Sequence, residues 1–274
     1  MKLGLHGKNA LVSGGTAGIG MAIANRLADE GCNVVIVGRS SERAEAAAET
    51  IRAATGANIL AVSADMTEPD DIERAVQMGN EAFGQIDIAV ANVIGHVIDP
   101  ESAGPSPGHF GSVPPSEYGL EFKQLALSAL GLVQRTLPQM KARGWGRILG
   151  VSSGVARESA WELPHILPNT VRPAAAGVMR LYSRECVGTG VTVNSLLTGS
   201  IETERNLAYV TWLAKERGIS LDEARKSLTP GVPLRRSGQP DEMATVAAFL
   251  CSTSAAGING QAIPMTGGTN RHIY

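Results

Sequence analysis

Residues 9–20, ending Ser13-Gly14-Gly15-Thr16-Ala17-Gly18-Ile19-Gly20, constrain the fold of this chain more than any other stretch: a short apolar run breaks into glycines and restarts as a helix. Residues 10–12 read as a buried strand. Gly14, Gly18 and Gly20 permit a tight turn, close approach of backbone to a phosphate, and close packing of helix on strand. The helix that starts near Gly18 aims its unpaired N–H groups and the positive end of its dipole at an anion. Glycines also mark ordinary turns, so a glycine-rich turn alone says little. Here strand, glycines and the amphipathic run 21–28 follow one another in the order a nucleotide cradle requires, with Gly14, Thr16, Gly18, Ile19 and Gly20 as its contacts.

A second apolar strand at 33–37 closes on Gly38-Arg39-Ser40-Ser41 and completes a strand-helix-strand unit. A carboxylate at this strand end accepts from an adenosine ribose hydroxyl, whereas a basic residue accommodates a phosphate there. Arg39, with Ser40 adding a donor and no acid competing, predicts NADP(H) in preference to NAD(H). Beyond an alanine-rich helix at 42–54, a third strand at 58–63 leads to Asp65-Met66-Thr67. Asp65, with Met66 beside it, is placed to accept an adenine amine, to cap the helix predicted over 69–83, or to do both. A fourth strand at 86–91 ends at Asn92. These alternations predict an α/β fold with a doubly wound parallel sheet and ligands at the carboxyl ends of its strands.

The stretch 97–115, rich in proline and glycine, reads as a long loop: either an insertion facing substrate or a partner subunit, or a plain surface excursion. A helix follows from 116 to 140, then a strand at 148–152 running into Ser152-Ser153. A small-residue helix over 169–187 precedes a strand at 191–196, which runs on to Thr198-Gly199 and Thr203. The segment 204–228 is helical but mixed in polarity and reads as a flap. A helix at 241–251 and a last strand at 261–265 bring the sheet to seven strands in one domain spanning 1–274, with no internal repeat or linker.

The balance of 24 basic against 26 acidic residues, spread without blocks, leaves no electrostatic footprint for nucleic acid or a membrane surface and predicts a small-molecule partner. Cys32, Cys186 and Cys251 lie far apart without ligand spacing; they predict buried thiols and no metal site. No run approaches the roughly 20 apolar residues that span a bilayer, and the first residues lack the apolar core of a secretory signal, so the expected location is the cytoplasm.

From Lys8 to Gly268 the chain resembles the short-chain dehydrogenase/reductase family. Ser13-Gly14-Gly15-Thr16-Ala17-Gly18-Ile19-Gly20 is similar to the family's Thr-Gly-x-x-x-Gly-x-Gly. Asp65 matches its adenine-site acid, Val191-Thr192-Val193-Asn194 its sixth strand, and Arg236-Ser237-Gly238-Gln239-Pro240-Asp241-Glu242 with Gly267-Gly268 its C-terminal signature. The resemblance implies a single Rossmann-like domain, a nicotinamide cofactor, oxidoreductase activity on a carbonyl or alcohol, and a homodimer or homotetramer. It also implies Asn92, Gly199 and Thr203 as cofactor contacts.

The catalytic half departs from the family. Counting back from Arg184-Glu185 places the family's Tyr-x-x-x-Lys positions on Pro168 and Arg172, and counting back from Leu137-Pro138-x-Met140 places its relay Asn on Leu125. The family's Ser survives as Ser153 or Ser152. Proline has no proton to give, and delivery of hydride to a carbonyl needs a proton donor near the forming alkoxide. Arg172 keeps a positive charge, and its fork suits a ribose or a carboxylate. Leu167-Pro168-Asn169-Thr170-x-Arg172 resembles a divergent branch in which Asn-x-x-Arg stands in for Tyr-x-x-x-Lys. The site expected on this basis has Ser153 orienting the oxygen, Asn169 and Arg172 holding ribose, and His165 or water supplying the proton. Two other readings stay open: a nucleotide-binding homologue without redox turnover, and a lyase or isomerase reuse of the scaffold.

Overall fold

A computed structural model describes residues 2–92, 113–159, 166–228 and 231–271. Strands β1 (Asn9–Ser13), β2 (Asn33–Gly38), β3 (Ile59–Ser63), β4 (Ile88–Ala91), β5 (Gly146–Ser153), β6 (Val191–Thr198) and β7 (Ala262–Met265) form a seven-stranded sheet in the order β3-β2-β1-β4-β5-β6-β7. Every pairing is parallel. The helices among the described residues are α1 (Gly18–Asp29), α2 (Ser41–Thr55), α3 (Pro69–Phe83), α4 (Pro115–Phe122), α5 (Ser128–Arg143), α6 (Ile166–Glu185), α7 (Glu204–Arg217), α8 (Leu221–Ser227) and α9 (Pro240–Cys251).

The strands are continuous runs of Val, Ile, Leu and Ala because both faces of the sheet are covered. Alternate residues go to opposite faces. Ala10, Val12, Val34 and Ile36 pack with Ile23 and Leu27 of α1, Ala48 of α2 and Ala247 of α9. Leu11, Val35 and Val37 pack instead with Ile72 of α3, Leu132 of α5 and Met179 of α6. This is the doubly wound α/β, Rossmann-like architecture that the periodicity predicts. The strand order reverses between β1 and β4, so the crevice at their carboxyl ends is the switch point where such sheets bind ligands.

Several boundaries differ from expectation. Helix α3 has Glu68, not Asp65, at its N-cap position, without a side-chain cap, since Pro69 suits the first helical position and sets the start there. Asp65 instead closes a local turn: its Oδ1 accepts from the Thr67 N–H at 2.9 Å. The helix expected over 116–140 starts at Pro115 and is interrupted by a π-turn over Lys123–Leu127, which buries Leu125 and Ala126. Of the predicted loop 97–115, residues 97–112 lie outside the described residues. Helix α6 is helical from Ile166, the first described residue after 159, and so takes in Pro168, ahead of the start expected at 169. Ile166 and Leu167 are buried with Val113, and Tyr118 packs against them. The segment predicted as one flap is two helices with a core of their own, Val210, Leu213 and Ala214 of α7 against Ala224 of α8. Among the described residues no helix is long and apolar enough to cross a membrane. All three cysteines are buried and free, and burial pushes the Cys32 and Cys251 thiols up to about 12.

The start of α9 carries a testable charge pair. Arg236 donates through both terminal nitrogens to the Glu242 carboxylate, at 2.7 and 2.9 Å, and the Gln239 N–H donates to it at 2.7 Å. The Arg236 guanidinium and the Gln239 amide hold Glu242 down at about 2, from an ordinary 4.5. A depressed carboxyl contributes stability that is fully present above its unfolded value and is lost as pH falls through its folded value. The difference in Tm between the native chain and Glu242→Gln should therefore shrink between pH 4.5 and 2. A difference that stays constant across that window would remove Glu242 from the acid response.

Candidate active site at the carboxyl edge of the sheet

The glycine turn after β1 closes on the end of β4. Gly14 and Gly18 take positive φ, +60° and +52°. A Cβ on Gly14 would stand 2.3 Å from the Asn92 carbonyl oxygen, and one on Gly20 would stand 2.1 Å from that of Gly14. Asn92 locks the two strands together: its N–H donates to Ser13 Oγ at 2.9 Å, its side-chain amide donates to Gly14 O at 3.2 Å, and Ser13 Oγ donates to Val90 O at 3.2 Å. Helix α1 has Ala17 at its N-cap position, with no side-chain cap and no acid in its first turn, so its leading N–H groups and positive dipole end face the crevice. Ile19 packs its side chain into the core beside the turn. A backbone cradle of this shape, closed to any Cβ and uncapped at its helix, fits a dinucleotide pyrophosphate.

The predicted rim residues surround that cradle. Thr16 lies against β2, where a Cβ on Gly38 would stand 2.5 Å from its Cγ2. Arg39 follows as an exposed side chain, and Ser63 Oγ ties its carbonyl to the end of β3 at 3.0 Å. Ser40 caps α2, accepting from the Arg43 N–H at 3.2 Å. Met66 is buried. The Asp65 N–H donates to Asp71 at 2.7 Å, and that bond, with Arg74, lowers the Asp71 carboxyl. Across the crevice, the Gly199 N–H donates to Met265 O at 3.1 Å. Thr203 caps α7, accepting from the Asn206 N–H at 3.1 Å, with its Cγ2 3.2 Å from where a Gly18 Cβ would be.

Beside the cradle, a recess of about 20 Å³, room for a single water, opens between β5 and α6. Arg172, Ser152, Ser195 and Leu125 line it, with Ala175 and Met179 among its apolar walls. The sequence favours Ser153, but successive strand residues face opposite ways. Ser152 lines the recess, and its Oγ is buried without a hydrogen-bond partner among the described residues. Ser153 accepts from the Val155 N–H at 3.5 Å and caps the short turn Gly154–Ala156. Asn169 and Arg172, three residues apart on α6, share one side of that helix. His165 lies outside the described residues.

Two residues that the sequence does not single out belong here. Glu121, at the end of α4, is 1% exposed. Burial lowers the Arg172 guanidinium to about 10, Glu121 opposing the shift and Arg205 adding to it, so Arg172 stays charged at neutral pH. Desolvation likewise lowers Arg205, on the first turn of α7, again opposed by Glu121. One buried carboxylate thus sits within the field of two guanidiniums from separate helices. Arg147, also buried, is a contrast. It lies at the opposite end of the sheet with its donors bound to the carbonyls of Ser252, Gly146 and Gly190, which makes it structural. No group of three or more metal-ligating side chains occurs among the described residues.

Residues 14–270 match the family model described as enoyl-(acyl carrier protein) reductase. The chain is 32% identical over 273 residues to D-beta-hydroxybutyrate dehydrogenase of Cupriavidus necator, covering 96% of this chain and 98% of that one. Its fold superposes on the crystal structure of L-sorbose reductase from Gluconobacter frateurii complexed with NADPH and L-sorbose, with a TM-score of 0.91 at 27% identity over 100% of each chain. It also matches YwfH, an NADPH-dependent reductase involved in bacilysin biosynthesis, with a TM-score of 0.87 at 26% identity over 97% of this chain and 99% of that one. Fold, cradle and relatives agree, and the chain belongs to the short-chain dehydrogenase/reductase family of oxidoreductases.

Proposed function

We propose that the chain is an NADP(H)-dependent oxidoreductase that interconverts a small carbonyl compound and its alcohol through a site without the family's Tyr-x-x-x-Lys pair. The observation that carries this reading is one shared edge: the dinucleotide cradle at β1 and β4 adjoins a recess lined by Ser152 and Arg172. The nicotinamide cofactor supplies or accepts the hydride. The chain's own residues bind and orient. Gly14, Thr16, Gly18, Ile19 and Gly20 cradle the pyrophosphate, Arg39 and Ser40 face the adenosine phosphate, and Asp65 and Met66 border the adenine. Asn92, Gly199 and Thr203 line the nicotinamide end. Ser152 in the recess, or Ser153 at the strand end beside it, orients the substrate oxygen, Asn169 and Arg172 hold the ribose, and His165 or water supplies the proton. Helices α7 and α8 act as the flap over the substrate, residues 97–115 as an insertion beside it, and the single domain assembles as a homodimer or homotetramer. A relative solved in complex with NADPH and another described as an NADPH-dependent reductase support the cofactor assignment.

Purified protein should oxidise NADPH in the presence of members of a panel of small ketones, read as loss of nicotinamide absorbance. Binding of NADPH with no turnover across the panel would favour a second reading, a nucleotide-binding homologue without redox chemistry, for which Pro168 at the family's proton-donor position is the specific support. On cofactor choice, Arg39→Asp should weaken NADPH binding roughly tenfold to a hundredfold, the range expected for loss of a charge-assisted phosphate contact, and should leave NADH little changed. Equal affinity of the native chain for the two nucleotides would defeat that assignment.

A further inference from the structure

We propose that a cavity between α9 and the ends of β6 and β7 binds a short neutral alcohol or ketone, at a site separate from the one that reacts.

The cavity measures about 110 Å³, against about 20 Å³ for the recess beside Ser152. An apolar cavity of about 150 Å³ takes benzene, so this one has room for roughly four or five non-hydrogen atoms. Its apolar walls are Ile201, just past β6, Val232 and Leu234 from the segment before α9, Met243 of α9 and Met265 of β7. Leu234 and Arg236, both exposed, stand at its rim and leave it open to solvent.

The polar groups around the cavity are already engaged, with one exception. The carbonyls of Ser200, Val232, Met265 and Gly267 accept from the N–H groups of Gly238, Arg235, Gly199 and Leu234, at 2.8 to 3.1 Å. Ser200 Oγ pairs with Ser237 Oγ at 3.0 Å, and Arg236 neutralises the Glu242 carboxylate in two-point contact. Water is held poorly where so few polar partners remain, and a charged ligand would find no counter-ion. The exception is Thr266, a buried lining residue whose carbonyl, but not its hydroxyl, is hydrogen-bonded among the described residues. One hydroxyl in an apolar wall suits a ligand with one hydroxyl or carbonyl oxygen. Thr266 also divides this cavity from the reacting edge. A Cβ on Gly154 would stand 2.9 Å from its Cγ2, and one on Gly199 would stand 2.8 Å from its Cα. The turn that carries Val232 and Leu234 is strained as well. Arg235 takes φ +55°, the one positive value at a non-glycine among the described residues, and such strain gathers at ligand sites.

The test uses the whole protein loaded with NADPH. 2-Methylpropan-2-ol has five non-hydrogen atoms and, as a tertiary alcohol, no carbinol hydrogen to give up, so it reports binding without turnover. At ten times its dissociation constant it should raise the Tm by about 2–4 °C. Tetramethylammonium, of the same size but charged, should leave the Tm unchanged. Val232→Phe, which fills the cavity, should abolish the shift. Val232→Ala, which enlarges it, should prefer the larger 2-methylbutan-2-ol, whereas the native chain prefers 2-methylpropan-2-ol. Thr266→Val should weaken the alcohol roughly fivefold to tenfold, the size of one neutral hydrogen bond. Xenon in pressurised crystals should appear between Ile201, Met243 and Met265. A shift that survives in Val232→Phe, equal binding of the cation, or a cavity without xenon overturns the proposal. If Val232→Phe fails to fold, Val232→Ala decides, and an unchanged size preference overturns the proposal. No arm depends on turnover, so the redox reading can fail without deciding this one.

Discussion

Gly14→Ala should weaken NADPH binding by roughly a hundredfold or more, about 3 kcal/mol, and should lower stability as well. Two costs combine at this residue. Its φ of +60° is left-handed, which costs an L-residue about 1–2 kcal/mol. The new Cβ would also stand 2.3 Å from the carbonyl oxygen of Asn92, a backbone atom that no rotamer change can move. The strain is relieved only by separating β1 from β4 at the switch point, which displaces the Asn92 amide from Gly14 O and re-aims the start of α1. Gly56→Ala is the matched control. Gly56 ends α2 with φ +70°, and nothing lies within 4 Å of where its Cβ would stand, so the variant bears the conformational cost without the collision. It should cost about 1 kcal/mol of stability and leave the nucleotide titration unchanged. NADPH fluorescence and urea unfolding measure both variants. If Gly14→Ala binds within threefold of the native chain, the turn after β1 is not the cradle.

The cradle is legible in the sequence because its parts are local: an apolar run, glycines at fixed offsets and an amphipathic helix all fall within residues 9–28. The sheet is legible for the same reason, since strands buried on both faces show as continuous apolar runs. What escapes is set by contacts between distant segments. Glu121 looks like any helical carboxylate until α4 packs on α6, and nothing near it in the chain announces two arginines. The choice between Ser152 and Ser153 depends on strand phase, where a shift of one residue exchanges the faces. The helical state of Pro168 escapes because a proline suggests loop, whereas Ile166 and Leu167 are buried beside it within α6. Asp65 offers a cap by composition, yet Pro69 sets where α3 begins.

Arg172→Met should separate the two duties that this arginine combines. Removing the guanidinium strips a wall of the recess of its cation and leaves Glu121, 1% exposed, with one fewer positive charge near it. A buried carboxylate that loses a neighbouring positive charge is destabilised by up to about 3 kcal/mol, because its own charge stays out of water. Turnover should fall by roughly a hundredfold to a thousandfold, the range for losing one preorganised electrostatic group at a reacting centre. A loss of activity alone would not distinguish a damaged fold from a damaged site. The double variant Glu121→Gln/Arg172→Met does, since it removes the stranded carboxylate along with the guanidinium and should recover most of the stability while turnover stays low. Arg172→Lys tests the fork. A lysine ammonium keeps the charge that opposes Glu121 but offers no planar pair of donors, so stability should hold near the native value while KM rises more than kcat falls. Turnover within threefold of native in Arg172→Met would mean that the recess is a packing defect and that the chemistry lies elsewhere along the sheet edge. Recovery of activity as well as stability in the double variant would mean that Arg172 serves only to neutralise Glu121.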